Sequence, residues 1–294
     1  MNSERDLDSE DEIETKKVRY SSPACDRSSE KYPNEELRGL VKGVSANYLM
    51  NEENFLSTGC PHLDVILKGG FPNRGVTQIY GTAGTGKTQI ALQLCLTVQL
   101  PISVGGYDAG AIYISTEGTF PSKRLQDLLR YSKLAAQFNI TANNIFVERV
   151  IESSELEKCL LQRIPYLMAC RKIGLLVLDS IAAPYRGEYS TTELKNRGKD
   201  LWNISRQLHT LARQYNLTVV CVNQVSAVVS PSKYEAIYVD ERPALGIIWA
   251  NMITNNFYLC RNDTHRYFHV MQSSYLGRSS IEYKITNSGV MGVA

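Results

Sequence analysis

Eight consecutive residues constrain this chain more than anything else in it: Gly81, Thr82, Ala83, Gly84, Thr85, Gly86, Lys87 and Thr88. They fit G-x-x-x-x-G-K-[S/T] at every fixed position, with a β-rich run before them and a helix-period run after. Glycines let the backbone wrap so that several N–H groups converge on phosphate oxygens, and the following helix N-terminus adds partial positive charge. In this pattern Lys87 is expected to reach the β and γ phosphates. The Thr88 hydroxyl is expected to ligate Mg²⁺, an ion that keeps much of its own water and needs few protein ligands. The segment therefore predicts ATP and Mg²⁺ as ligands.

Two carboxylates stand where such a site needs them. The apolar run 175–178 ends in Asp179, which a strand would deliver to the carboxyl edge of the sheet, where ligands of open α/β folds bind. Asp179 is thus expected beside the metal, with Thr88. Glu117 follows the run 111–115 in the same way, and a carboxylate beside the metal can orient a water toward the γ phosphate as general base.

The surrounding pattern supplies the scaffold. Short β-rich runs at 76–80, 111–115, 145–150, 173–179 and 217–223 alternate with helix-period segments starting near Lys87, Pro121, Ser153 and Thr191. That alternation predicts an α/β fold with a mostly parallel central sheet flanked by helices. Three later runs, 256–260, 267–272 and 281–286, separated by polar and glycine-containing turns, predict an antiparallel extension at the C-terminal end. Residues 1–45 are charged and poor in apolar positions, the composition of a disordered leader. Residues 46–75 read as a linker leading into the core, with apolar anchors such as Val41, Val44, Tyr48 and Phe55 in and just before it that suit docking on a partner or on the core itself. Residues 76–294 read as the ATPase core.

Charge and cysteine content exclude other classes. With 32 Lys and Arg against 30 Asp and Glu, the net charge is only +2, so any nucleic-acid contact must be a local feature. The seven cysteines show no C-x-x-C spacing and fit reduced core thiols, and the four histidines show no metal-ligand spacing. No apolar run approaches the length of a membrane span, so no membrane partner is expected.

Taken together, residues 58–64, 81–88, 116–120, 123–125, 179–186 and 222–225 resemble the RecA-type recombinase family, in particular its eukaryotic DNA-repair paralogues; the likeness covers roughly 57–290. It implies a RecA-like P-loop ATPase core. It makes Glu117 the water-activating base, Gln224 a γ-phosphate sensor leading into a DNA-binding loop, and Arg124 an adenine-stacking group. It implies weak ATP hydrolysis in a hetero-oligomer with another recombinase paralogue, support of homologous recombination and double-strand break repair, and contacts with the main eukaryotic recombinase and with single-stranded or branched DNA. A nuclear location follows, with a cytoplasmic pool possible. An autonomous strand-exchange recombinase and an adaptor using ATP only as a stabilising ligand stand as alternatives.

Departures from the family pattern sharpen that reading. The two loops that hold DNA in the recombinases correspond to about 184–197 and 226–242. Here the first offers Arg186, Lys195 and Arg197, and the second Lys233 and Arg242 offset by Glu235, Asp240 and Glu241. So few cations predict weak, salt-sensitive binding. Residues 272–277 lack the acidic residue and prolines with which a recombinase caps its neighbour's ATP. A head-to-tail filament needs both faces competent, so a terminal or capping subunit is expected.

Overall fold

The runs read as strands become β3 (Thr77–Tyr80), β4 (Gly110–Ser115), β5 (Ile145–Arg149), β6 (Ile173–Asp179) and β7 (Thr218–Asn223) in a computed structural model that describes residues 54–186, 194–227 and 241–293. The chain divides into two units, 1–49 and 50–294, and every described residue lies in the second. The expected leader, most of the second loop with Lys233, and residues 187–193 fall outside the described residues.

A nine-stranded sheet has the order β13-β12-β11-β10-β3-β7-β6-β4-β5. From β10 (Asn255–Asn262) through β5 all neighbours are parallel, whereas β10, β11 (His265–Gln272), β12 (Ser279–Thr286) and β13 (Gly289–Gly292) pair antiparallel. The mostly parallel α/β architecture with an antiparallel extension is borne out, with one strand more than the apolar runs indicated. β13 escapes the sequence pattern because glycines bracket a strand of only four residues.

Alternation along the central strands explains the two cores. Ile79, Tyr113, Val177 and Val222 face one side and pack with α2 (Lys87–Thr97) and α3 (Ser122–Tyr131), together with α1 (Pro61–Ile66) and α4 (Lys133–Gln137). Ile112, Leu176, Leu178 and Cys221 face the other and pack with α5 (Ser153–Lys158), α6 (Ile164–Cys170) and α7 (Leu194–Tyr215). Both faces are buried, so the strands are near-continuous apolar runs, as a parallel sheet covered by helices requires. Helix α2 is buried around most of its circumference because it is wedged between the sheet, α3 and β13.

Short elements complete the frame. β1 (Phe55–Leu56) pairs with β2 (Phe71–Pro72), β8 (Val225–Ala227) pairs with β9 (Glu241–Pro243), and α8 (Gly246–Ala250) follows β9. Of the described cysteines, Cys60, Cys95, Cys159 and Cys221 are buried free thiols, Cys260 is half-buried and Cys170 exposed.

Candidate nucleotide site

Strand order decides which residues can meet. β3, β7, β6 and β4 are consecutive neighbours in the parallel region, so the residues after their carboxyl ends gather on one edge. β3 runs into the 81–88 loop, β6 ends on Asp179, β4 is followed by Thr116 and Glu117, and β7 by Gln224. A cavity of about 640 Å³ opens there, with Lys87, Thr88, Glu117, Asp179 and Gln224 in its wall.

The loop needs its glycines. Gly81 has φ 151°, and a Cβ there would lie 2.0 Å from the Leu259 carbonyl oxygen of β10. Gly86, at φ 108°, would place a Cβ 2.8 Å from Ile285. Thr85 is buried and its hydroxyl donates to the Thr82 carbonyl at 2.9 Å, while the Tyr283 hydroxyl donates to the Thr85 carbonyl. Thr85 therefore braces the turn from beneath and is not part of the cavity wall.

Lys87 opens α2 and folds its Nζ back over the loop, donating to the carbonyls of Gly81 and Thr82, both at 2.7 Å. Burial draws its pKa below the ordinary lysine value, opposed by the carboxylates of Asp179, Glu117 and Glu241. One residue on, the Thr88 hydroxyl donates to Asp179 Oδ2 at 2.7 Å, and the Tyr113 hydroxyl donates to the same oxygen. Burial raises the Asp179 pKa, partly offset by those two hydrogen bonds and by Lys87, with Glu117 adding to the rise. Tyr113 is pushed far above the ordinary phenol range by burial and the adjacent Asp179 charge, so it stays a neutral donor.

Glu117 sits at the mouth, exposed, with its Oε1 accepting from the Ser180 hydroxyl at 2.5 Å and from the Gln224 side-chain amide. Thr116 locks this corner: its hydroxyl donates to the Ser180 carbonyl at 2.6 Å and accepts from the Ser180 amide at 2.7 Å. Behind Gln224 lies a buried amide cluster. Gln78 Oε1 accepts from Asn223 Nδ2 at 2.8 Å and from the Trp249 indole N–H at 2.6 Å, and Gln78 Nε2 donates to Asn256 Oδ1 at 2.8 Å. Asn223 Nδ2 also donates to the Ala244 carbonyl at 3.0 Å, whose residue returns its amide to the Gln224 carbonyl at 2.7 Å.

The remaining sequence candidates are dispersed. Arg124 does not line the cavity; its guanidinium donates to Gln89 Oε1 at 2.5 Å and to the carbonyls of Thr286 at 2.7 Å and Asn287 at 3.2 Å, in the turn before β13. Arg186 is part of the cavity wall rather than remote from it. Arg242 is exposed on β9 opposite Ser226, and Lys195 is exposed on α7. Arg197 has its Nε buried without a hydrogen-bond partner among the described residues. Sequence reasoning missed Tyr113, Ser180 and the Gln78 cluster. A hydroxyl in an otherwise aliphatic strand was the available signal for Tyr113.

A Lys amine, a Thr hydroxyl, an aspartate and the amides of a glycine turn that opens a helix form a donor set that fits a nucleoside triphosphate with a divalent cation. Among the described residues no helix is long and apolar enough to cross a membrane. Relatives carry names consistent with this arrangement. DNA repair protein XRCC3 of Bos taurus is 37% identical over 254 residues, 81% of this chain and 74% of the relative. DNA repair protein XRCC3 of Mus musculus is 36% identical over 290 residues, 87% and 82% of the two chains. DNA repair protein rhp57 of Schizosaccharomyces pombe is 30% identical over 299 residues, covering 87% and 84%. The Rad51 family profile matches residues 51–293, which takes in every element of the sheet and every residue of the cavity wall, and the chain belongs to that family.

Proposed function

We infer that this chain binds ATP with Mg²⁺, hydrolyses it weakly, and uses its nucleotide state to work with another recombinase paralogue in homologous-recombination DNA repair in the nucleus. The observation that carries the reading is the convergence of Lys87, Thr88, Asp179, Glu117 and Gln224 on one cavity at the carboxyl edge of four adjacent strands. Each side chain then has a distinct task. Lys87 is pre-aimed over the loop and exchanges its two carbonyl partners for phosphate oxygens. Thr88 and Asp179, already hydrogen-bonded to one another, would hold the cation, which supplies charge neutralisation to the phosphates. Glu117 orients the attacking water, held in place by Ser180. Gln224 has a choice of partner, Glu117 or phosphate, and lies directly before β8 and the candidate DNA loop, so that choice can be felt there. Arg124 has its in-plane N–H groups engaged, which leaves the flat face of the guanidinium to stack on a base.

The DNA contacts proposed from sequence, Arg186, Lys195, Arg197, Lys233 and Arg242, belong to the two candidate loops, and the names of the relatives support a repair role. Calorimetric titration with ATP and Mg²⁺, paired with phosphate release, tests the reading. Lys87→Ala is expected to weaken ATP binding at least about tenfold, by loss of a charge-assisted hydrogen bond. Glu117→Gln is expected to retain binding and lose turnover by about 10²-fold or more. Turnover unchanged in Glu117→Gln would remove the carboxylate from the mechanism, whereas full repair activity in a Glu117→Gln variant that no longer turns ATP over would favour the adaptor alternative.

A further inference from the structure

Helix α7 is the longest in the described structure at 22 residues, and its two sides differ sharply. Leu201, Ile204, Leu208 and Leu211 are buried against the sheet. On the opposite side Lys195, Lys199, Trp202, Arg206 and Arg213 are exposed, at steps of three, four or seven residues that line them up along one stripe. The whole helix carries five cations, Lys195, Arg197, Lys199, Arg206 and Arg213, against one carboxylate, Asp200. At 100° per residue Asp200 points roughly a third of a turn away from the stripe. In a chain of net charge +2 this is a concentrated local field.

An exposed Trp is the second feature. Trp202 keeps 50% of its surface in solvent, where a large aromatic ring would ordinarily be packed. The Arg206 guanidinium lies 5.6 Å from its ring centroid. The ring also forms part of the wall of a cavity of about 400 Å³ with His209 and Met252. The His209 Nε2 hydrogen donates to the Met252 carbonyl at 2.8 Å, tying α7 to the segment before β10.

We propose that this outer stripe of α7 is a track for single-stranded nucleic acid, with Lys195, Lys199, Arg206 and Arg213 following the phosphates and the Trp202–Arg206 pair stacking on a base. The proposal rests on the DNA-binding reading above and extends it away from the loops. Three observations carry it: the stripe begins at Lys195, in the closing residues of the first candidate loop, its charge is of one sign, and an aromatic ring sits among the cations. A cationic path with interleaved aromatic side chains is what sequence-tolerant single-strand binding requires. From Lys195 to Arg213 the helix rises about 27 Å, long enough to follow several nucleotides of a single strand.

The test uses the full chain, with a labelled oligothymidylate longer than the helix, followed by anisotropy over a range of salt concentrations. The triple variant Lys199→Gln/Arg206→Gln/Arg213→Gln is expected to bind more weakly, with the log–log salt slope reduced by about two, at about 0.7 for each single-strand phosphate that is no longer neutralised. Trp202→Ala is expected to bind roughly fivefold or more weakly, because one base is no longer stacked. The oligonucleotide should also quench tryptophan emission, and of the two tryptophans only Trp202 is exposed, Trp249 being fully buried. If the triple variant binds as wild type with the same salt slope, while Arg186→Gln/Arg242→Gln is weakened, the track is overturned and the loop reading stands. If the wild-type chain does not bind the oligonucleotide at low salt, the DNA-binding reading falls and the track with it. If polyglutamate binds as tightly, without quenching, and the triple variant no longer binds it, the stripe belongs to an acidic polypeptide and the proposal is overturned.

Discussion

Asp179 is held under two opposing demands. Its carboxylate is buried at the end of β6, yet a cation site needs it ionised, and the Thr88 and Tyr113 hydroxyls only partly offset the burial. Because its folded-state pKa is raised above the unfolded value, the folded protein takes up this proton first as pH falls. The cost of burying the charge is therefore fully present above the folded pKa and is relieved as pH drops through it. Asp179→Asn removes that cost while keeping an acceptor for both hydroxyls. Without nucleotide, the variant is expected to melt a few degrees higher than wild type at neutral pH, with about 1 kcal/mol moving Tm by roughly 2–4 °C in a domain of this size. The advantage should shrink as pH is lowered toward the range where Asp179 is protonated in both states. In the presence of ATP and Mg²⁺ the order should reverse, because wild type gains ligand stabilisation that the amide cannot support. Thermal melts across pH, with and without ATP and Mg²⁺, check both halves; a variant less stable than wild type in the nucleotide-free state would show that the aspartate's hydrogen bonds outweigh its burial.

Among the elements, β3, β7 and α8 are joined by side-chain amides rather than by apolar packing alone. Gln78 on β3 takes hydrogen bonds from Asn223 on β7 and from the Trp249 indole on α8, and all three side chains are fully buried. Replacing the hub orphans its partners, whereas replacing the Trp leaves the hub still paired with Asn223. Gln78→Leu is thus expected to cost about 2–4 kcal/mol, from the indole N–H and the Asn256 side-chain Oδ1 left without their Gln78 partner, and Trp249→Phe nearer about 1 kcal/mol beyond its lost volume. Urea unfolding with an unchanged m-value would measure both; equal losses would mean that packing, not the amide hub, joins these elements. This cluster also shows where sequence reading stops. The central strands, the phosphate loop and the carboxyl-edge placement of Asp179, Glu117 and Gln224 were legible, because apolar runs and turn signals fix them locally. Gln78, Asn223 and Trp249 come from segments up to 171 residues apart, and nothing local marks one glutamine in a strand as the partner of a distant indole. The same holds for Tyr113 and Ser180, whose roles depend on which strands become neighbours, and for α1, β1 and β2, which are too short to carry a period. Arg124 takes its expected role from resemblance alone; its hydrogen bonds to the turn before β13 become visible only once that strand is placed.

At the scale of the whole molecule the question is whether one chain can repeat. A head-to-tail assembly through the nucleotide site needs the neighbour to contribute groups to the phosphates, and the resemblance implies that the segment at 272–277 would be the donor of those groups. Here Ser273 and Tyr275 of that segment are turned inward. The Ser273 hydroxyl donates to Asn255 Oδ1 at 2.7 Å, the backbone amides of Tyr275 and Leu276 donate to the Ser273 hydroxyl at 3.3 Å, and the Tyr275 hydroxyl reaches the Gly70 carbonyl at 3.1 Å. The Tyr275 ring lies 5.1 Å from that of Phe55. With the Ser273 and Tyr275 side chains engaged on its own core and no carboxylate or proline within 272–277, the segment has little to offer a second copy. A net charge of +2 supplies no long-range attraction between copies to compensate. A chain whose nucleotide site takes a partner's groups while its own 272–277 segment offers few is expected to end an assembly rather than repeat within it. Light scattering on the purified chain, with a monomer mass of 33.0 kDa, is therefore expected to report a monomer or small oligomer that persists when ATP, Mg²⁺ and single-stranded DNA are added together. A paralogue that keeps the acidic and proline-bearing segment should form a discrete complex with it, weakened by Lys87→Ala on this chain. Large assemblies that grow with ATP and DNA, or regular filaments by electron microscopy, would mean that the 272–277 segment rearranges on binding, and the capping role would give way to that of an autonomous recombinase.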